Sequence, residues 1–134
     1  MRIKDFKKAL EAANKDAVVL IQPFRLSATL IGSWRGDYAQ PAIGWSADDE
    51  DGETAAEFLR QIEEIEAGAV FSGYKGGSYT FGLRSELHVD NYGKWSPDSE
   101  IESVFVREGG DEVVIVLRYR GIDPDARFIS KGDG

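Results

Sequence analysis

The segment Glu108-Gly109-Gly110-Asp111 stands between two runs dominated by β-branched residues, Ile101 to Arg107 and Val113 to Arg120. Paired glycines accept the positive φ that tight hairpin turns demand, so the two runs are expected to fold back on one another. With Gly109 and Gly110 as a two-residue turn, Val106 faces Val113, Phe105 faces Val114, Val104 faces Ile115 and Ile101 faces Arg118. Strand side chains alternate between faces, so this register puts Val104, Val106, Val113, Ile115, Leu117 and Tyr119 on a core side. The other side carries Phe105, Arg107, Arg118 and Arg120 beside Ile101, Val114 and Val116.

A sheet so begun needs partners. Val18 to Ile21, ended by Pro23, and Ala28 to Ile31, ended by Gly32, read as short strands, as do Tyr79 to Phe81 and Glu86 to Val89. Pro23 makes Phe24-Arg25-Leu26 a bend or an edge. Residues 32 to 45 hold two Trp, a Tyr and three Gly without a sustained period and read as loop. Ile3, Phe6, Leu10 and Ala13 recur at helical spacing over residues 3 to 14. A second helix starts after Thr54, whose spacing to Glu57 is that of a capping box; Phe58, Leu59, Ile62 and Ile65 form its stripe and Gly68 ends it. The expected fold is α+β: an antiparallel β-sheet with two amphipathic helices in a single domain over 1–122, with a flexible C-terminal tail over 123–134.

A chain of 134 residues can bury one core, and three Trp, five Tyr and seven Phe supply large side chains for it. With no cysteine there is neither a disulfide nor a thiolate metal site. The N-terminal segment is charged and amphipathic, without an apolar run fit for a signal peptide or a membrane span, and a cytoplasmic setting is expected. A net charge of -8 repels nucleic acid, so no nucleic-acid partner and no membrane partner are expected.

His88 has no second histidine and no nucleophile elbow beside it and reads as a strand histidine. No Walker, dinucleotide or zinc-protease fingerprint occurs, and no catalytic residue, metal or cofactor is expected. The acidic run Asp48-Asp49-Glu50-Asp51 and Glu53 lacks the spacing of a calcium loop and suits the positive end of the second helix. Gly73 to Gly77 suits either a turn or a backbone approach to phosphate. The informative set is aromatic plus arginine: Trp34, Arg35, Tyr38, Tyr74, Phe81, Tyr92, Arg107 and Arg118. Rings stack on bases, guanidinium forks hold phosphates, and the Asn91 amide can read a base or ribose edge. The same residues also suit plain core filling and strand solvation.

Ser33-Trp34-Arg35-Gly36-Asp37-Tyr38, Gly73-Tyr74-Lys75-Gly76-Gly77-Ser78-Tyr79 and Asp90-Asn91-Tyr92-Gly93, in a short acidic cysteine-free chain, resemble the Thoeris anti-defence protein 1 family of phage proteins. The resemblance spans most of residues 1 to 120. It implies a sponge that sequesters a cyclic ADP-ribose isomer, with cyclic oligonucleotides at separate sites in some members, without cleaving it. It implies a homodimer or higher homo-oligomer with the ligand at the interface. Carried over, Phe81 stacks on adenine, Asn91 supplies a polar edge, and Arg107 with Arg60 holds the diphosphate. A different class also fits: an acidic inhibitor that imitates nucleic acid and binds a host CRISPR or restriction protein directly. A small nucleotide hydrolase is the third reading, and it lacks a recognisable nucleophile or metal site.

Overall fold

The computed structural model describes residues 1–22, 25–34, 37–72, 76–90 and 100–118. Among the described residues two α-helices, α1 (Ile3–Ala12) and α2 (Ala55–Glu66), accompany eight strands. These are β1 (Val18–Gln22), β2 (Leu26–Trp34), β3 (Asp37–Ser46), β4 (Phe71–Ser72), β5 (Ser78–Tyr79), β6 (His88–Val89), β7 (Ile101–Val106) and β8 (Glu112–Leu117). Six of them form one sheet in the order β6-β3-β2-β1-β8-β7, and β4 pairs with β5 separately. The fold is α+β, as expected, but the sheet is mixed: β1 runs parallel to β8 and β3 parallel to β6. Among the described residues no helix is long and apolar enough to cross a membrane. The expected tail over 123–134, and the domain limit at 122, lie outside the described residues.

The β7–β8 hairpin has the expected pairs Val106–Val113, Phe105–Val114 and Val104–Ile115. Its turn is wider than two residues. The Arg107 N–H bonds the Glu112 carbonyl at 3.0 Å, and the Gly110 N–H bonds the Arg107 carbonyl at 2.9 Å. Gly109 and Gly110 both have positive φ, at 95° and 79°. Widening the loop by one residue on each side leaves the register unchanged. Further along, a bulge between Ile101 and Ser103 changes it: Ile101 faces Leu117, not Arg118. The extra residue rotates Ile101 to the core face, where it is buried with Val113, Ile115 and Leu117.

Asn14 sets where this hairpin meets β1. Its amide nitrogen donates to the Gly109 carbonyl at 3.1 Å and to Asp111 Oδ1 at 2.8 Å, and its backbone N–H bonds the Gly110 carbonyl at 2.9 Å. Chain entering β1 is thereby tied to chain entering β8, which starts the two strands side by side and parallel, Val18 opposite Glu112.

Residues 32 to 45, read as loop, belong instead to β2 and β3, which pair antiparallel. Glycine and proline obscure the strand period but have places here. Ala28 faces Trp45 and Ile31 faces Ile43, so Thr29 and Leu30 together oppose Gly44, and a Cβ on Gly44 would collide with Thr29 Oγ1.

Helix α2 starts at Thr54, whose hydroxyl accepts the Glu57 N–H at 3.4 Å. The other first-turn donors, Ala55 and Ala56 N–H, reach the carbonyls of Ala17 and Lys15. Gly68 closes the helix at φ 97°, with Ala69 N–H returning to the Glu64 carbonyl. Phe58 meets Phe6 of α1 edge to face at 5.2 Å between ring centroids. Ile3 and Leu10 of α1, Ile62 and Ile65 of α2, and the inward residues of β1, β2, β3 and β8 complete one core. Helix α1 stops at Ala12, two residues before the expected Asn14, because Asn14 is engaged with the hairpin turn.

Gln61 of α2 binds the β2 backbone as a neighbouring strand would. Its Oε1 accepts the Ile31 N–H at 2.8 Å and its Nε2 donates to the Ile31 carbonyl at 2.7 Å. Gln61→Leu keeps the volume and strips both partners from a buried backbone unit, so a loss of about 2 to 4 kcal/mol is expected in urea denaturation. Gln61→Glu, which retains only an acceptor, should fall between. A Leu variant as stable as wild type would show that water replaces the amide.

Candidate functional site

The curled sheet brings its two edge strands together at one point. His88 of β6 bridges to Glu100, immediately before β7, in antiparallel fashion. On the other side of Glu100, its carbonyl accepts the Arg118 N–H at 2.8 Å. His88, Glu100 and Arg118 therefore form a row across the seam, and residues paired this way project side chains to a common face. Leu87, Val89, Ile101 and Leu117, their chain neighbours, are buried in the core cluster. Alternation then places the polar row on the opposite face.

All three line a cleft of about 250 Å³ together with Met1, Glu86, Leu87 and Ile101. Two cations and two carboxylates meet there. The Met1 ammonium pairs with Glu86 Oε2 at 2.5 Å, and Arg118 Nη1 lies 3.6 Å from Glu100 Oε1. The Arg2–Glu86 bridge and the bond from Leu87 N–H to the Met1 carbonyl hold the first residues against this wall. Burial pushes the His88 pKa below its ordinary 6.5; the Met1 ammonium pushes the same way, while Glu86, Glu100 and a backbone hydrogen bond with Pro41 oppose it. The imidazole is neutral at pH 7, and the four remaining charges cancel.

Of the residues singled out from sequence, Arg118 is in this cleft. Arg107 sits at the turn end of the same hairpin, its Nε 2.6 Å from Glu112 and its guanidinium 5.6 Å from the Phe105 ring centroid. From Glu112, opposite Arg107, to Arg118 is six residues of strand, about 20 Å, so one diphosphate cannot span both within a single chain. Arg60 is exposed on α2 and pairs with Glu57 one turn away. Phe81 is 7% exposed, packed in the core at 4.9 Å from Phe71, and offers no free ring face for stacking. Arg35, Tyr74, Asn91 and Tyr92 lie outside the described residues, as do the side chains of Trp34 and Tyr38. The residue before Asn91 is well anchored: the Asp90 N–H bonds the Ile43 carbonyl at 2.9 Å, and the Asp90 carbonyl accepts Trp45 Nε1 at 2.6 Å.

The acidic run has structural work. Asp48 caps the Glu50 N–H, Asp49 accepts from Ser27, and Asp51 accepts from Ser46. Among the described residues no group of three or more His, Asp or Glu side chains has the geometry to hold a metal. Nothing in the sequence singles out Glu86 or Glu100, and His88 by itself suits a plain strand position. The alternation of Leu87, His88 and Val89 marked the face His88 takes, but nothing local to it announces Glu100 as its neighbour.

Comparison with protein-family models, curated proteins and solved structures finds no match to this chain.

His88 is the one histidine, so its ring protons can be followed alone by NMR. Their titration midpoint is expected below 6.5. A lowered folded-state pKa means the unfolded chain takes up the proton first as pH falls. The stability this site contributes is then complete above 6.5 and lost as pH drops from there toward the folded-state value. His88→Gln should flatten the stability difference over that interval; a midpoint above 6.5 would show that attraction to Glu86 and Glu100 outweighs burial.

Proposed function

We propose that the protein captures a small phosphorylated ligand and releases it unaltered, with the seam cleft receiving its phosphate. The observation that supports this reading is the half-exposed Arg118 guanidinium in a cleft beside a neutral histidine, held to Glu100 only at 3.6 Å. The ion pair with Glu100 is too long for a hydrogen bond, so the guanidinium donors can turn to phosphate oxygens. A cleft of about 250 Å³ is smaller than the usual pocket for a whole drug-sized ligand, so it suits a phosphate or diphosphate, with the base held elsewhere. Asn91, one residue beyond the anchored Asp90, is the candidate for the base or ribose edge, and a second copy of the chain is the candidate for the stacking surface that Phe81 does not offer.

Together with the resemblance to the Thoeris anti-defence protein 1 family, this makes a cyclic ADP-ribose isomer the ligand to test first, and a phage sponge acting in the host bacterial cytoplasm the role to test. Direct inhibition of a CRISPR or restriction protein by acidic mimicry is the competing reading. The run that would imitate phosphates is in part engaged in caps and side-chain bonds.

Calorimetric titration with a cyclic ADP-ribose isomer, followed by mass spectrometry of ligand released by heating, tests the proposal. Binding with intact release is expected. Arg118→Ala should weaken it about ten-fold or more and Arg118→Lys should restore part, since a lost charged partner costs on the order of 2 kcal/mol or more. Arg107→Ala should leave affinity within about two-fold, the effect of a surface pair. Loss of binding in Arg107→Ala but not in Arg118→Ala would move the site to the hairpin turn, and an altered ligand would make the protein an enzyme.

A further inference from the structure

We propose that Glu100 is a built-in competitor for the cleft: its carboxylate stands beside the Arg118 guanidinium where a ligand phosphate would bind, so an incoming anion must displace it. The inference rests on the cleft being an anion site, and it concerns how tightly that site holds an anion.

Glu100 is placed for this role by backbone, not by chance of rotamer. Its carbonyl is bonded to the Arg118 N–H at 2.8 Å, and its other side bridges to His88, so its side chain rises between theirs. Yet the carboxylate and guanidinium stand 3.6 Å apart, beyond hydrogen-bond length. The contrast within the same hairpin is Arg107 and Glu112, in contact at 2.6 Å. Arg118 and Glu100 are also 43% and 40% exposed, so their attraction is weakened by water and cheaply exchanged. Glu86 faces the same cleft but is engaged by the Met1 ammonium. With His88 neutral, the cleft's charges balance, and a singly charged carboxylate from outside gains little by displacing one already present. A diphosphate brings more charge and a second pair of oxygens to the same fork.

Titrating the full chain with inorganic pyrophosphate and with acetate, at constant ionic strength, decides the matter. Glu100→Gln preserves the backbone bond to Arg118 and removes the competing charge, so pyrophosphate should bind about three-fold to ten-fold more tightly, and acetate should gain no more than that. Glu108→Gln makes the same change in net charge in the exposed turn at the far end of the hairpin and should leave both affinities unaltered. Equal gains from the two variants would assign the effect to overall charge and overturn the role of Glu100. Unchanged affinity in Glu100→Gln, with binding lost in Arg118→Ala, would overturn that role while leaving the cleft as an anion site. No binding of pyrophosphate by wild type or Glu100→Gln, or binding indifferent to Arg118→Ala, would overturn the cleft reading and this inference together.

Discussion

The parallel pairing of β1 with β8 is the contact on which the rest of the molecule depends. It joins residues 18–22 to residues 112–116, so nearly the whole chain serves as its crossover. Closing so long a loop is entropically costly, although the cost rises only slowly with length. The Asn14 contacts to the turn at 109–111 lock the two strands at their starts, and the buried faces of Val19, Ile21, Val113 and Ile115 supply the apolar gain. Without this ladder the sheet would divide into a four-stranded piece, β6-β3-β2-β1, and the β7–β8 hairpin, which is too small to stand alone.

Curvature then makes the site. A sheet with the order β6-β3-β2-β1-β8-β7 has its first and last strands at opposite edges, yet His88 and Glu100 meet. Two irregularities help bend it, the bulge of Thr29 and Leu30 against Gly44 and the bulge at Glu102. The second also decides what lies at the seam. By turning Ile101 inward it makes Glu100, rather than Ile101, the residue opposite Arg118. An apolar neighbour would have left Arg118 a solvated strand arginine; a carboxylate beside it and a half-buried imidazole beyond make a cleft with matched charges.

On the reading proposed here, that arrangement suits capture of an anion. The imidazole is held neutral chiefly by burial, and the charged groups are already paired with one another. On that reading an incoming anion would exchange one partner for another. On the same reading, the overall negative charge leaves only the local guanidinium to attract a phosphate.

Local chemistry in the sequence determined the elements whose signals are short-range. The Thr54 and Glu57 spacing set the start of α2, Gly68 its end, and Gly109 with Gly110 the hairpin and most of its register, because caps and turns are satisfied within a few residues. What tertiary structure alone decided is everything that depends on a distant partner. Residues 37–46 form a strand despite Pro41 and Gly44 because β2 and β6 flank them. Ile101 turns to the core because a bulge lets it be buried, and Phe81 fills that core although as a sequence symbol it suited stacking equally well. Arg107 and Arg118 share a face in the sequence pattern but stand at opposite ends of it. His88, Glu100 and Arg118 became neighbours because the sheet curls until its edges touch, and no local preference in a chain encodes which two edges will meet.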